Sequence, residues 1–371
     1  MRRLKFLFFV FVFATCRDKY DFPLRETDVS LLVVEGVLNA GQGPTTIALS
    51  RTLKLSDKST IKPVTKAKLT VEGKNGGTFP LSEIGNGNYT NAQLPLIFGQ
   101  EYRLRIQTSD NKEYLSDYVV AKQTPAIDSI SWKKKNDGVT IYANTHDASN
   151  KTRYYKWDYD ETWEIRSFYY TEFRWTSGTT IIRSPGYHSV CWKYARSTTI
   201  NLGSTVQLQS DVVSEAPLIV IPPLSDKLSV RYSIIVRQQS LTKEAYEYLQ
   251  MMKKNTESLG SIFDAQPSEL KGNIKCITNP EEGVVGYLTA SSTPEKRIFI
   301  TAGEAGWFFP QDCPFVEVPN HPDSIASWVP GYLPFSAAKE MFGSVARYNF
   351  APAGCVDCVT RGGDVNRPSY W

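Results

Sequence analysis

Residues 102–107 read Tyr-Arg-Leu-Arg-Ile-Gln, and this short stretch decides the fold class of the chain. Apolar Tyr102, Leu104 and Ile106 alternate with polar residues, a period of two that is typical of a strand with one buried face. The same alternation recurs over residues 67–71, where Ala, Leu and Val alternate with lysine and threonine. The pattern predicts a mainly β protein.

Turn residues on both sides of this stretch divide the chain into units. Glycine-rich turns at 41–44, 73–77 and 85–88 separate the strand-like segments. Strands of this length at this spacing predict one all-β sandwich over residues 29–124, which we expect to close by itself. Thr124-Pro125 is the candidate domain boundary.

The second predicted unit, residues 125–371, is larger and contains a helix. A hairpin is predicted first, because Asn136-Asp137-Gly138 separates two alternating runs. Apolar residues spaced by three and four from Ser240 to about Lys254 then predict an amphipathic helix near 240–254. Its apolar face could dock a partner, but packing onto the protein's own sheet is the preferred interpretation. The second unit is therefore predicted to be a β structure with an inserted α-helix.

The first residues indicate export. Basic side chains within residues 2–5 precede an apolar run over 6–13, which is far shorter than the roughly 20 residues that span a bilayer. The run ends at Phe13-Ala14-Thr15-Cys16, which resembles a bacterial lipobox. We predict a signal peptide at 1–15, a covalent lipid on Cys16 and a tether at 16–28, which together make the membrane a partner. The alternative is a plain signal peptide followed by a free cysteine.

Charge and motifs argue against several functional classes. Removing residues 1–15 leaves 39 Lys+Arg against 38 Asp+Glu, whereas a nucleic-acid surface needs a basic excess. The chain has no nucleophile elbow, HExxH helix or P-loop. The carboxylates within 158–164 could supply a glycosidase pair. However, they alternate with aromatics as on a sandwich strand, so we expect no enzyme activity and no cofactor besides the lipid.

Five cysteines remain after Cys16. Cys355-Val-Asp-Cys358 has the spacing of a zinc or redox motif, but its flanks are loop residues and the three histidines are scattered. We favour two structural disulfides in which each of these two cysteines bonds to an earlier one, and we expect no metal. Since five is odd, at least one thiol stays free or bonds to another chain.

Aromatic residues are unusually dense over residues 154–175. About half of them should face the core because of strand alternation, and a large aromatic core is one interpretation. The other is an exposed recognition surface for a protein, or for a glycan or peptide, since aromatics and arginine are enriched at interfaces. The candidate surface consists of Trp163, Arg166, Phe168, Tyr169, Tyr170, Phe173, Arg174 and Trp175.

Several motifs together resemble one family, the Bacteroidota lipoproteins known as domain of unknown function 4249. The residues that carry the resemblance are the Cys16 lipobox, 98–104, Pro125 with 127–130, Cys191-Trp192, 244–246, 263–268, 272–274, 286–288, Cys355 to Cys358, 361–363 and 368–371. The final motifs, from Cys355 onward, are the most specific.

The resemblance implies outer-membrane lipoproteins associated with TonB-dependent transporters of the SusC type. It implies immunoglobulin-like β domains, so the full prediction is two immunoglobulin-like β-sandwiches, the second carrying the helix. It also leaves Cys191 and Cys313 as the disulfide partners of Cys355 and Cys358, because Cys276 has no counterpart in the family and becomes the predicted free thiol. We expect a non-catalytic accessory subunit on the outer membrane, exposed at the cell surface.

Overall fold

The structure is a computed structural model that describes residues 30–53, 61–184, 186–257, 270–339 and 343–371. The predictions on the signal peptide, Cys16, the tether and residues 263–268 lie outside the described residues. Over the described ranges, strands far outnumber helices, so the prediction of a mainly β chain is confirmed. None of the helices in these ranges is long and apolar enough to cross a membrane.

The first half of the chain forms short strands followed by long ones. The strands are β1 Leu32–Gly36, β2 Leu38–Asn39, β3 Thr45–Arg51, β4 Lys62–Pro63, β5 Lys68–Gly73, β6 Thr78–Gly85, β7 Asn88–Asn91, β8 Glu101–Gln107, β9 Glu113–Ser116, β10 Val119–Val120, β11 Ile127–Lys135, β12 Gly138–His146 and β13 Tyr154–Arg166.

The described part of the second half mixes strands with four α-helices. Its elements are β14 Phe173–Trp175, β15 Ile181–Arg183, β16 Val190–Arg196, β17 Asn201–Ser204, β18 Val212–Ile221, β19 Arg231–Ser240, α1 Lys243–Glu257, β20 Ile274–Cys276, β21 Val284–Val285, β22 Ala290–Ser291, β23 Glu295–Thr301, α2 Ala302–Ala305, β24 Val316–Pro319, α3 Pro322–Ala326, β25 Tyr332–Lys339, β26 Val345–Pro352 and α4 Ala353–Val356. Two 3-10 turns lie at Asp226–Leu228 and Cys358–Arg361.

Strand β8 alternates between buried and partly exposed residues, as the sequence predicts. Tyr102, Leu104 and Ile106 are buried in the first core, and the polar residues between them stay partly exposed. An eleven-stranded sheet wraps around this core in the order β20-β9-β8-β5-β6-β7-β3-β1-β21, with β4 and β10 beside it.

Both edges of this sheet are covered by a segment from much later in the chain. Strand β20 pairs antiparallel with β9, and β21 pairs parallel with β1, while β22 pairs with β2. Ile274, Val284 and Leu288 are buried in the first core. The expectation that residues 29–124 close the sandwich by themselves is therefore incomplete, because the edge strands β1 and β9 would expose unpaired backbone groups without this segment.

The second core lies between two further sheets. The β11-β12-β18 sheet packs against the sheet β16-β13-β19-β23, with β17 beside β13, and both contribute buried aromatic and aliphatic side chains. The hairpin β11–β12 turns at Asn136-Asp137, as predicted. Gly138, at φ +133°, leaves no room for a Cβ atom, which would lie 2.1 Å from the carbonyl oxygen of Ile221.

Helix α1 begins three residues later than its apolar spacing suggests. Ser240 ends β19 instead, where its backbone N–H donates to Thr124 Oγ1 at 3.1 Å. The buried face of the helix includes Ala245 and Tyr248, and the Tyr248 hydroxyl accepts a hydrogen bond from the backbone N–H of Gly286 at 2.9 Å. The helix thus packs on the protein itself, as the preferred interpretation expected.

A third, smaller β body completes the second predicted unit. It contains the sheet β24-β26-β25 and the hairpin β14–β15. Its core holds Val318, Ile325, Tyr348 and Phe350. The sequence prediction of a single larger β unit did not separate this body from the second core. The reason is that two strands of the third body come before β16 in the chain and the other three come after β23.

Candidate functional site

The chain leaves strand β13 at Arg166 and crosses directly onto the third body. Tyr169 is fixed there by two backbone hydrogen bonds to the cysteines of one disulfide. Its backbone N–H donates to the carbonyl oxygen of Cys355 at 2.9 Å, and its hydroxyl donates to the carbonyl oxygen of Cys313 at 2.8 Å. Because Cys313 and Cys355 are bonded to each other, the crosslinked pair holds both the backbone and the hydroxyl group of Tyr169.

Four aromatic rings follow one another from this point across the surface. Tyr169 stacks on Phe335 with ring centroids 3.8 Å apart, Phe168 contacts Tyr169 edge-on at 4.9 Å, and Phe315 contacts Phe335 edge-on at 5.9 Å. The two end rings are largely exposed, Phe168 at 57% and Phe315 at 54%, and the neighbouring Tyr170 is 74% exposed. We call these five residues the aromatic patch.

The patch contains only part of the surface that the sequence predicts. Phe168, Tyr169 and Tyr170 belong to it. Trp163 does not, since it is 8% exposed and lies in the second core. The physical reason is the alternation of β13, which puts Trp163 on the same face as Trp157 and Tyr159.

The other predicted residues lie around the patch without joining the ring contacts. Arg166 and Arg174 are exposed, and Arg166 Nε donates to Glu164 Oε1 at 2.6 Å. Phe173 and Trp175 are half-buried: Phe173 packs edge-on against Tyr348 at 5.5 Å. Sequence reasoning missed Phe315 and Phe335, which lie about 150 residues from Tyr169 along the chain.

Two disulfides are present, as predicted. Cys191 bonds to Cys358 and Cys313 bonds to Cys355, so each cysteine of the C-x-x-C motif pairs with an earlier one. Cys276 is free and buried. Within the described ranges, no group of three or more His, Cys, Asp or Glu side chains is placed to hold a metal ion.

The carboxylates of β13 each contact a cation. Lys156 Nζ lies 2.8 Å from Asp158, Arg237 lies 2.8 Å from Asp160 and Lys227 lies 2.7 Å from Glu161. Glu161 is buried and also accepts a hydrogen bond from the Tyr232 hydroxyl at 2.7 Å, and burial raises the pKa of that Tyr232 hydroxyl well above its usual range. The arrangement is that of structural ion pairs.

A cleft of about 1540 Å³ lies where the first sheet meets the second unit. Its lining mixes polar and apolar groups and includes Asn39, Gln42, Lys122, Gln239 and, as one exposed ring, Phe98. Burial lowers the pKa of Lys122, whose ammonium group donates to the carbonyl oxygen of Leu241 at 2.8 Å. The cleft offers amide and hydroxyl groups to a ligand together with a comparable apolar area.

Comparison with known proteins gives one family. A family model described as "Domain of unknown function (DUF4249)" matches residues 17–297. No curated protein matches the chain. The crystal structure of a mutant of Salmonella alpha-2-macroglobulin is similar at 11% identity and a TM-score of 0.17, over 86% of this chain and 16% of that one. The chain spans about a sixth of that protein's length.

Proposed function

The chain belongs to the family described as domain of unknown function 4249, and from this premise we propose that it is a non-catalytic outer-membrane lipoprotein of Bacteroidota. In this proposal a lipid on Cys16 anchors the chain at the cell surface, and two immunoglobulin-like domains extend from the tether. The protein docks as an accessory subunit on a TonB-dependent transporter of the SusC type or on a larger outer-membrane complex.

The observation that carries the proposal is the aromatic patch. Isolated exposed apolar residues are ordinary, but contiguous ones that stack on each other mark interaction surfaces. Large rings dominate the energetics of protein interfaces, and arginine accompanies them, as Arg166 and Arg174 do here. The Cys313–Cys355 crosslink holds the rings in one arrangement before a partner arrives, so little conformational entropy remains to be lost on binding.

We expect the double substitution Phe168→Ala and Phe315→Ala to reduce the amount of partner recovered with the tagged protein at least tenfold. Truncating an interface hot spot costs about 2 kcal/mol or more, and the two end rings are the most exposed members of the ring contacts. Recovery is measured by quantitative mass spectrometry after purification from native membranes in mild detergent.

The matched control is the double substitution Ile84→Ala and Leu224→Ala. Both side chains are equally apolar and exposed, at 64% and 62%, but they lie outside the patch. Both double variants should unfold at the temperature of the wild type. Equal loss of partner in the two variants, or no loss in either, would contradict docking through the patch.

A second candidate function is capture of a glycan or peptide for import, which the 1540 Å³ cleft with its amide side chains favours. A ligand there would contact amide side chains such as Gln239 and Gln42. Screening the purified full-length protein against glycan and peptide arrays tests this candidate. Hits that Gln239→Ala abolishes would support it, and arrays without hits would remove it.

A further inference from the structure

The outer face of the sheet β16-β13-β19-β23 carries a regular array of charges. The strand register places Arg196, Asp160, Ile235 and Arg297 in one row across four strands. The neighbouring row holds Asp158, Arg237 and Glu295. Side chains directly opposite each other on neighbouring strands interact, so opposite charges in such rows normally pair.

One arginine of this array has no carboxylate partner. Arg237 contacts both Asp160 at 2.8 Å and Glu295 at 3.5 Å, and Arg196 lies 3.6 Å from Asp160. Asp158 is engaged by Lys156. Among the residues that the structure describes, Arg297 has no carboxylate within 4.0 Å, and its guanidinium instead donates to Ser233 Oγ at 2.9 Å.

Aromatic rings border the same place. The Arg297 guanidinium lies 3.7 Å from the centroid of the Tyr370 ring, whose hydroxyl is hydrogen-bonded to Thr162 at 2.7 Å. Tyr194 lies on the opposite side of the groove and is half exposed. Residues 370–371 cover the adjacent rows, where Trp371 contacts Trp192 and Phe299.

The uncovered rows form a groove of about 600 Å³. Its charged lining consists of three arginines and two carboxylates, Arg196, Arg237, Arg297, Asp160 and Glu161, and the rings of Tyr194 and Tyr370 border it. A volume of this size is within the range of small-molecule sites. Apart from Tyr370, these side chains project from paired strands, which hold the groove in one arrangement.

We propose that this groove binds a carboxylate-bearing sugar of the uronic acid type. The ligand's carboxylate supplies the missing negative charge at Arg297, since guanidinium groups form paired hydrogen bonds with carboxylates. The flat face of the sugar ring packs on Tyr194, and Arg196 contacts the far side of the ligand. The inference goes beyond docking on a membrane partner and does not depend on it, because the groove and the aromatic patch share no residue.

The test is isothermal titration calorimetry of the full-length protein in detergent with a disaccharide that contains glucuronic acid, and with the methyl ester of the same disaccharide. We expect the acid to bind at least tenfold more tightly than the ester. Arg297→Gln should remove this preference, and Tyr194→Ala should weaken the binding of both the acid and the ester. Arg183→Gln, an exposed arginine on β15 outside the groove, serves as the matched control and should bind like the wild type.

Arg196→Gln is a second variant that tests the groove even if Arg297→Gln does not fold. Its side chain is 88% exposed and holds one long ion pair, so the substitution leaves the fold intact, and we expect the acid to bind three- to tenfold more weakly. Equal binding of acid and ester, no binding of either at 10 mM, or a preference retained in Arg297→Gln would overturn the proposal. A Glu-Glu dipeptide that binds as tightly as the sugar acid would overturn the assignment to a sugar.

Discussion

Replacing both Cys191 and Cys358 with alanine is expected to lower the free energy of unfolding by about 4 kcal/mol. The two cysteines are 167 residues apart, so the crosslink removes much freedom from the unfolded chain. Both are fully buried within the second core. The residues after Cys358 also lie against strand β16. The backbone N–H of Asp364 donates to the carbonyl oxygen of Trp192, the neighbour of Cys191, at 2.8 Å.

The matched comparison is the double alanine variant of Cys313 and Cys355, which are 42 residues apart. Because the first separation is about four times the second, loop closure predicts that the first crosslink stabilises by about 1 kcal/mol more. Urea unfolding followed by tryptophan fluorescence measures both. A Cys191→Ala and Cys358→Ala variant that unfolds at the same urea concentration as the wild type would refute this part of the account.

The second large effect is expected at Glu282, which links the late segment to strands β3 and β9 of the first sheet. Its side chain is largely buried, and its carboxylate accepts hydrogen bonds from Arg51 at 2.9 Å, Lys112 at 2.6 Å and Tyr114 at 2.6 Å. Burial by itself would raise the pKa of Glu282, but these three hydrogen bonds outweigh it and lower the pKa to about 2.

The sign of the pH dependence follows from this lowered pKa. The folded protein holds the proton on Glu282 less tightly than the unfolded chain, whose carboxyl has the ordinary pKa of 4.5. The stabilisation is therefore complete above pH 4.5 and is lost as the pH falls toward 2. It amounts to about 3 kcal/mol at neutral pH. We expect Glu282→Gln to lose this amount at pH 7 and to match the wild type near pH 2.

The neighbouring Glu281 provides the control, because its side chain is exposed. Glu281→Gln should change the free energy of unfolding by less than about 0.5 kcal/mol. Unfolding of the three proteins is followed in urea between pH 2 and 7. If Glu282→Gln were as stable as the wild type at pH 7, the late segment would not be held by this ion pair.

Local patterns predicted the elements whose partners are near in sequence. The alternation of Tyr102, Leu104 and Ile106 identified β8, and Asn136-Asp137-Gly138 located the β11–β12 turn to the residue. In both cases the determining interactions, burial of one face and the conformation of a two-residue loop, act over a few residues. Such signals are fully contained in a short stretch of sequence.

Long-range pairings could not be predicted in this way. Strands β20, β21 and β22 have two or three residues each, too few to show a period, and their pairing with β9, β1 and β2 depends on edges formed far earlier in the chain. The two unpredicted residues of the aromatic patch have the same cause. Phe335 stacks on Tyr169 and Phe315 contacts Phe335, although both lie more than 140 residues from Tyr169 along the chain.

Trp163 shows the opposite error, because its local signal was interpreted without the alternation of strand β13. It is aromatic and near Arg166, as interface residues are, but the period of β13 turns it toward Trp157 in the core. Counting alternate positions from Tyr155 would have assigned it to the buried face. Composition alone cannot separate a recognition surface from an aromatic core.

The central claim is that this protein is an accessory subunit docked on an outer-membrane transporter. Its most direct test is affinity purification of the tagged full-length chain from native membranes in mild detergent, with stoichiometry determined by quantitative mass spectrometry. The account predicts a TonB-dependent barrel protein in nearly equal amount to the tagged chain, and its loss in the Phe168→Ala and Phe315→Ala variant. Recovery of the wild-type chain alone, as a monodisperse monomer, would contradict the claim.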